Sequence, residues 1–172
     1  MVLAQHRFHP PILETRSISW PDELSCAAFA QRLAAAPSLL PSSFIALDGP
    51  LGAGKTTFVR HLLRALGVSG RVKSPTFAVL EPYELADGRR VWHFDFYRFA
   101  DAHEWDDAGF REIFAAPGLK LAEWPDKAGP ALPLPDWRLQ IDTDSNQARQ
   151  VQVHACTPHG VELCAMTLPC AR

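Results

Sequence analysis

An eight-residue segment, Gly49–Thr56, carries glycine, lysine and threonine at the spacing G-x-x-x-x-G-K-[ST]. Glycines let a backbone fold back so that successive N–H groups point at phosphate oxygens, and a helix that follows adds the positive end of its dipole. The lysine of such a loop reaches the β- and γ-phosphates, and the hydroxyl after it ligates Mg²⁺. The segment therefore predicts a nucleotide phosphate site that uses Lys55 and Thr56.

The elements on either side of this loop agree with that prediction. Residues 43–47 form an apolar run typical of a buried strand, and residues 55–66 have the periodicity of a helix that Gly67 ends. A strand, a glycine-rich loop and a helix in this order are the setting in which the pattern binds phosphate. The alternative interpretation is a glycine-rich turn between strand and helix that holds no ligand.

Two carboxylates could complete such a site. Asp95 follows the apolar run at 91–94, and Glu123 follows the run at 119–122. In open α/β sheets ligands bind at the edge where parallel strands end, and nucleotide hydrolysis needs an acidic residue there to hold the metal or its waters. The alternatives are an ion pair of Asp95 with Arg98 and a solvated Glu123. Both carboxylates follow strands, so either could contact the metal.

Three further positions stand near these groups in the sequence. The proline in Ser74-Pro75-Thr76 favours extended geometry that presents the hydroxyls, as in switch segments that sense a γ-phosphate. The alternative interpretation is a plain turn that enters a strand. Trp124, beside Glu123, could exclude water or anchor a partner, although composition alone favours core packing. His93 has no His or Cys partner at ligand spacing, which indicates a structural role.

Composition limits the class of protein. A chain of 172 residues fits one domain, which we expect at 17–172 after an irregular tail at 1–16. The net charge of −2 gives no electrostatic footprint for DNA or RNA. The four cysteines form no C-x-x-C pair, and no apolar run approaches the roughly 20 residues of a membrane span, so we expect a cytoplasmic protein without membrane contact.

Periodicity predicts the elements that must position the site. Helices are expected over 21–34 and 101–114, and strands over 77–80, 91–94, 119–122, 138–141, 151–153 and 161–163. Asp87-Gly88 predicts a tight hairpin turn, and four prolines between 125 and 135 predict a loop. The fold class is α/β: a P-loop NTPase-like sheet with helices on its faces and an antiparallel β extension.

Four segments, in this order, resemble the TsaE family. They are G-P-L-G-A-G-K-T-T at 49–57, V-K-S-P-T-F at 72–77, H-F-D-F-Y-R at 93–98 and E-W-P at 123–125. The resemblance covers about residues 17–155. It implies a small Mg²⁺-dependent ATPase of tRNA threonylcarbamoyladenosine biosynthesis, which acts with the proteins TsaB and TsaD on adenosine 37 of tRNAs that read ANN codons and touches tRNA only indirectly.

The resemblance also implies roles for single residues. ATP phosphates would be held by Lys55 and the loop backbone, Mg²⁺ by Thr56 and Glu123, and Asp95 would serve hydrolysis. The other implied site residues are Leu51, Gly52, Ala53 and Gly54 of the loop, Thr57 as its support, Thr76 of the switch-like segment, Trp124, and Asp22 near the nucleotide base. Pro50 departs from the family, in which many members have an acidic residue there.

Three functions are compatible with these residues. The first is an ATPase, slow alone and stimulated by its partners, because the chain shows no obvious arginine for the γ-phosphate beyond Arg98. The second is a binding module in which ATP orders residues 74–77 and hydrolysis is incidental. The third is a small-molecule kinase, since a phosphate loop alone does not fix the reaction.

Overall fold

The computed structural model describes residues 11–99, 105 and 108–168. The strands are β1 Glu14–Trp20, β2 Phe44–Asp48, β3 Leu80–Glu84, β4 Arg90–Asp95, β5 Leu119–Glu123, β6 Trp137–Thr143 and β7 Arg149–Ala155. The helices are α1 Glu23–Ala34, α2 Leu39–Ser42, α3 Lys55–Ala65, α4 Phe110–Ala115, α5 Pro125–Ala128 and α6 Pro158–Thr167. A 3₁₀ turn, Gly129–Ala131, follows α5.

The seven strands form one sheet in the order β1-β7-β6-β2-β5-β4-β3. Strands β6, β2, β5 and β4 are parallel, whereas β7 and β1 on one side and β3 on the other add antiparallel edges. The predicted α/β sheet with an antiparallel extension is thus confirmed. The predicted hairpin also forms, because β3 and β4 pair across a turn in which the Leu85 amide donates to the Arg89 carbonyl at 2.8 Å.

Strand periodicity divides the interior into two cores. Odd-numbered residues of β2, β4 and β5, such as Ile45, Val91 and Leu121, join α1, α3 and α6 in the larger core. Even-numbered residues, such as Phe44, Phe94 and Ala122, join α4 and α5 in a second, aromatic core. Successive side chains of a strand point to opposite faces, so a strand covered on both faces is apolar throughout. This explains the continuous apolar runs that the sequence shows in these strands.

Helix α1 begins as the sequence predicts. Asp22 is its N-cap and accepts the Ser25 amide hydrogen at 2.7 Å. A side-chain oxygen at this position satisfies one of the backbone donors that a helix leaves unpaired. Across the described ranges, no helix is both long enough and apolar enough to cross a membrane.

Two sequence-based boundaries were wrong, and a third falls partly outside the described residues. Strand β1 includes residues 14–16, expected in the irregular tail, because they pair with β7. Residues 77–79 form a turn instead of a strand: Val79 has a φ of 66° and its amide donates to the Pro75 carbonyl, so β3 begins only at Leu80. The helix expected over 101–114 falls partly on residues 101–104, 106 and 107, which lie outside the described part; Trp105 is helical, Gly109 has a φ of 68°, and α4 begins at Phe110.

The predicted strand at 161–163 is also wrong, because these residues belong to helix α6. The Thr157 side chain caps this helix by accepting the Gly160 amide hydrogen at 3.0 Å, and Pro158 occupies its first turn. The Gly160 carbonyl then accepts a hydrogen bond from the Trp137 ring nitrogen at 2.7 Å. Capping and docking onto β6 therefore override the short alternation of apolar and polar residues.

Substituting Gly160 tests this docking. Alanine normally stabilises a helix interior by about 1 kcal/mol over glycine. A Cβ at Gly160 would lie 2.2 Å from the Asp136 carbonyl oxygen, so Gly160→Ala should instead destabilise the fold, by about 2 kcal/mol. Urea unfolding followed by circular dichroism measures the change. The exposed Glu162→Ala in the same helix is the control, expected within about 0.5 kcal/mol of the parent; a stabilised Gly160→Ala would contradict the close contact.

Candidate functional site

The glycine-rich loop joins β2 to α3 as the sequence predicts. Gly49 has a φ of 138°, and a Cβ at this position would lie 2.2 Å from the Ile141 carbonyl oxygen, so only glycine lets the loop pass β6. Gly54 has a φ of 109° and directly precedes the first residue of α3. Leu51 and Gly52 are exposed, whereas Ala53 is buried beneath the turn. The loop thus places the N-terminus of an eleven-residue helix at its mouth.

Lys55 folds back over its own loop. Its Nζ donates to the carbonyl oxygens of Gly49 at 2.6 Å and Pro50 at 2.9 Å, and lies 3.9 Å from the centre of the Trp124 ring. Burial lowers the pKa of Lys55, while the carboxylates of Glu123, Asp95 and Asp48 act in the opposite direction. The ammonium group is therefore held at the loop by carbonyls and an aromatic face.

Pro50, the departure from the family pattern, contributes through its carbonyl. That oxygen accepts the Lys55 ammonium and, at 3.1 Å, the Ala53 amide, while the ring is exposed. Neither contact requires an N–H at residue 50. Proline is therefore compatible with the loop conformation, and its effect on nucleotide affinity stays a prediction.

Glu123 ends β5 and contacts the loop helix. The Thr56 hydroxyl lies 2.9 Å from Oε1 and 3.0 Å from Oε2 of Glu123, and Nε2 of His93 lies 2.9 Å from Oε1. The carboxylate is only 2% exposed, so the alternative of a solvated glutamate is wrong. Two oxygen-bearing side chains, a hydroxyl and a carboxylate, thus meet beside the phosphate loop.

Asp95 ends β4 and holds the segment at 74–76. Its Oδ2 accepts hydrogen bonds from the hydroxyls of Ser74 and Thr76, the latter at 2.7 Å, and its Oδ1 accepts the Tyr97 amide at 2.9 Å. The alternative ion pair with Arg98 is wrong: within the described residues no such pair forms, and the guanidinium instead lies 4.2 Å from the Phe77 ring centre.

Strand register explains why these side chains share one edge. Asp95 is the direct neighbour of Glu123 across parallel β4 and β5, and Leu47 of β2 pairs with Glu123 on the other side. Residues two apart on a strand point to the same face, so His93 and Asp95 both point toward α3. Trp124 follows at once, with a φ of 58° that turns its ring toward Lys55 and to within 5.1 Å of the Tyr97 ring.

A pocket of about 140 Å³ opens on the other side of the loop. Asp22, Thr57 and Arg149 line it together with Gly54. Arg149 also donates from Nε to the Ala53 carbonyl at 3.0 Å, which ties β7 to the phosphate loop. The pocket supports the expectation that a base or ribose would lie near Asp22, and it adds Arg149 to the residues there.

The residues present fit a magnesium nucleotide. Mg²⁺ takes oxygen ligands and is usually held by one or two protein groups plus phosphate oxygens and water. Thr56 and Glu123 supply such a pair. Across the described ranges there is no group of three or more His, Cys, Asp or Glu residues that could hold a metal.

Sequence reasoning missed the partners of the two carboxylates. The sequence indicated a structural role for His93, yet its ring contacts Glu123. The partner of Asp95 at Tyr97 is a backbone amide, which no residue type in the sequence reveals. The alternation of His93 with Asp95 on one strand was the available signal. The identity of the neighbouring strand, which decides what His93 meets, is not visible in the sequence.

Removing the Asp95 carboxylate should release the segment at 74–79. A hydrogen bond to a charged group contributes about 1.5–3 kcal/mol, so in Asp95→Ala we expect amide exchange of residues 74–79 and of Tyr97 to accelerate by about tenfold or more. Hydrogen–deuterium exchange with mass spectrometry measures this. Asp87→Ala, which removes a similar contact to the Arg89 amide in an exposed turn, is the control. Unchanged protection of residues 74–79 would contradict the role.

Comparison with known proteins agrees with this geometry. The family model "Threonylcarbamoyl adenosine biosynthesis protein TsaE" matches residues 20–151. The chain is 38% identical over 143 residues to the tRNA threonylcarbamoyladenosine biosynthesis protein TsaE of Haemophilus influenzae, covering 81% of this chain and 89% of that protein. For the Bacillus subtilis protein of the same name, identity is 35% over 112 residues, covering 64% and 68%.

A solved structure shares the fold. The crystal structure of Bacillus subtilis YdiB superposes with a TM-score of 0.71 at 25% identity, covering 88% of this chain and 93% of that one. The family model extends from the last residue of β1 into β7 and includes the loop, both carboxylates and the segment at 74–76. The chain therefore belongs to the TsaE family of tRNA threonylcarbamoyladenosine biosynthesis proteins.

Proposed function

We propose that this chain is a Mg²⁺-dependent ATPase that supports threonylcarbamoylation of adenosine 37 in tRNAs reading ANN codons. One observation carries the proposal: the Thr56 hydroxyl, directly after the loop lysine, lies within 3.0 Å of both oxygens of the strand-end carboxylate Glu123. A helix-borne hydroxyl and a strand-end acid beside a phosphate loop are the parts that nucleotide hydrolysis requires.

The loop would bind the phosphates. Backbone N–H groups of residues 51–56 and the N-terminus of α3 attract the negative charge, and the Lys55 ammonium, released from the carbonyls of Gly49 and Pro50, contacts phosphate oxygens. The pocket beside Asp22 and Thr57 takes the nucleoside. Burial of Lys55 strengthens its attraction to the charge that develops on the γ-phosphate.

Glu123 and Thr56 would hold the metal. When bound, Mg²⁺ neutralises charge on the β- and γ-phosphate oxygens. Asp95 would orient the attacking water and take its proton, because Oδ1, which accepts the Tyr97 amide, keeps a second lone pair. Thr76, bound to Oδ2 of the same carboxylate, connects this acid to the switch-like segment.

Partners would complete the site. Arg98 is held against the exposed ring of Phe77, so hydrolysis by the isolated chain should be slow. We propose that TsaB and TsaD stimulate it, that tRNA is contacted only through them, and that the complex works in the cytoplasm. Trp124, packed between Lys55 and Tyr97, would keep water away from the phosphates.

The contacts of Asp95 favour a second candidate, a nucleotide-gated binding module. Because Asp95 anchors Ser74 and Thr76, nucleotide occupancy could set the conformation of this segment without hydrolysis. The two candidates differ in one requirement: the ATPase needs the acid for turnover, whereas the module needs only nucleotide binding.

Asp95→Asn separates the two candidates. We expect ATP hydrolysis in the presence of TsaB and TsaD to fall by about 100-fold or more, because the base is lost, while ATP affinity stays within about threefold. Phosphate release and calorimetry measure the two quantities, with the exposed Asp142→Asn as the matched control. Full multi-turnover tRNA modification by Asp95→Asn without hydrolysis would support the module. Rapid hydrolysis by the chain alone, unchanged by partners, would contradict the proposal.

A further inference from the structure

His93 is a fully buried polar ring beside the proposed metal site. It lies on β4 two residues before Asp95, is 0% exposed, and pairs in register with Leu121 of β5. Its Nε2 lies 2.9 Å from Oε1 of Glu123. Its other ring nitrogen, Nδ1, is buried and has no hydrogen-bond partner within the described residues.

These contacts assign the proton of the imidazole. A proton on Nδ1 would be a buried donor without an acceptor, and Nε2 would then face the carboxylate with a lone pair. With the proton on Nε2, the ring donates to Oε1 and leaves only an acceptor unpaired. His93 is therefore a hydrogen-bond donor aimed at Glu123.

The surroundings of His93 do not call for a polar side chain. Val91 precedes it on the same face of β4, and its neighbour Leu121 belongs to the larger apolar core, while its register partner on β3, Glu81, is exposed. An apolar residue of similar volume would fill this position without the cost of an unsatisfied nitrogen. Among the described residues, the imidazole hydrogen-bonds only to the Glu123 carboxylate.

Two side chains, Thr56 and His93, donate hydrogen bonds to Glu123, and they differ in how firmly the fold holds them. The single proton of the Thr56 hydroxyl is shared between both carboxylate oxygens, at 2.9 and 3.0 Å. Thr56 is itself a proposed metal ligand and lies on the loop helix, which must adapt to the nucleotide. His93 lies on the adjacent strand, so its hydrogen bond is the fixed one.

We propose that His93 is a positioning residue that orients the Glu123 carboxylate for Mg²⁺. It acts through Glu123 and does not touch metal or nucleotide, and the inference rests on the proposed function, which makes Glu123 a metal ligand. Groups that hydrogen-bond to metal ligands fix the ligand's direction, and their loss typically costs about 10–100-fold in metal affinity.

Two substitutions test the proposal. His93→Phe keeps a buried ring and removes the donor, whereas His93→Gln keeps an N–H donor. Calorimetric titration with ADP, in EDTA and over a range of Mg²⁺ concentrations, gives nucleotide and metal affinities separately. For His93→Phe we expect the apparent Mg²⁺ affinity to fall about 10–100-fold, with ADP affinity in EDTA unchanged, and for His93→Gln a recovery of most of the loss.

Neighbouring positions supply matched controls. Phe94→Leu changes the next residue of the same strand, which points into the aromatic core on the opposite face. It should lower the melting temperature and leave Mg²⁺ affinity unchanged, which separates positioning from stability. Glu123→Gln should lose the Mg²⁺ dependence altogether.

The outcomes distinguish this inference from the proposed function. ADP binding by the parent chain that Mg²⁺ does not strengthen would overturn both. A second outcome is that Mg²⁺ strengthens ADP binding by the parent chain while a folded His93→Phe variant has unchanged Mg²⁺ affinity. That outcome would overturn only the role of His93. If His93→Phe does not fold, the smaller His93→Leu decides between the same two results.

Discussion

The burial of three charges at one edge of the sheet is the constraint on which the rest of this structure depends. Lys55, Asp95 and Glu123 are 4%, 2% and 2% exposed. Buried charges are costly unless they are paired or hydrogen-bonded. Here the compensation comes from hydrogen bonds: loop carbonyls hold the ammonium, and hydroxyls, an amide and an imidazole hold the carboxylates. Within the part of the chain that the structure describes, no Lys or Arg side chain forms an ion pair with either carboxylate.

The sheet supplies the precision that this arrangement needs. The parallel strands β2, β5 and β4 end in register, so the loop leaves β2 while Glu123 ends its neighbour β5 and Asp95 ends β4, the next strand beyond. Core packing fixes the same elements from both faces, with α3 in the larger core and Phe94 in the aromatic one. A one-residue slip of β4 would turn Asp95 away from the loop and Phe94 into it. The order of side chains along β4, with His93 and Asp95 on one face and Trp92 and Phe94 on the other, therefore specifies the site as well as the fold.

Local signals in the sequence predict the parts of the site but not their partners. The loop, the helix after it and the two strand-end acids follow from patterns that span a few residues, and all lie where expected. The errors arose where distant contacts override local alternation. Residues 161–163 form a helix because Thr157 caps it and Trp137 binds its first turn. The role of His93 depends on which strand lies beside β4, and parallel pairing between residues 30 positions apart leaves no local pattern.

Asp95 and Glu123 each end a parallel strand, but they differ in their hydrogen-bond partners. Glu123 is hydrogen-bonded to Thr56, on the helix that begins at the glycine-rich loop, so its position is tied to that loop. Asp95 is bonded to Ser74 and Thr76, in a connecting segment that precedes an exposed Phe77. A displacement of Asp95 would therefore reach the segment before Phe77, whereas a displacement of Glu123 would reach the helix that follows the loop. One acid joins its strand to the glycine-rich loop, and the other joins its strand to the segment that leads to the exposed Phe77.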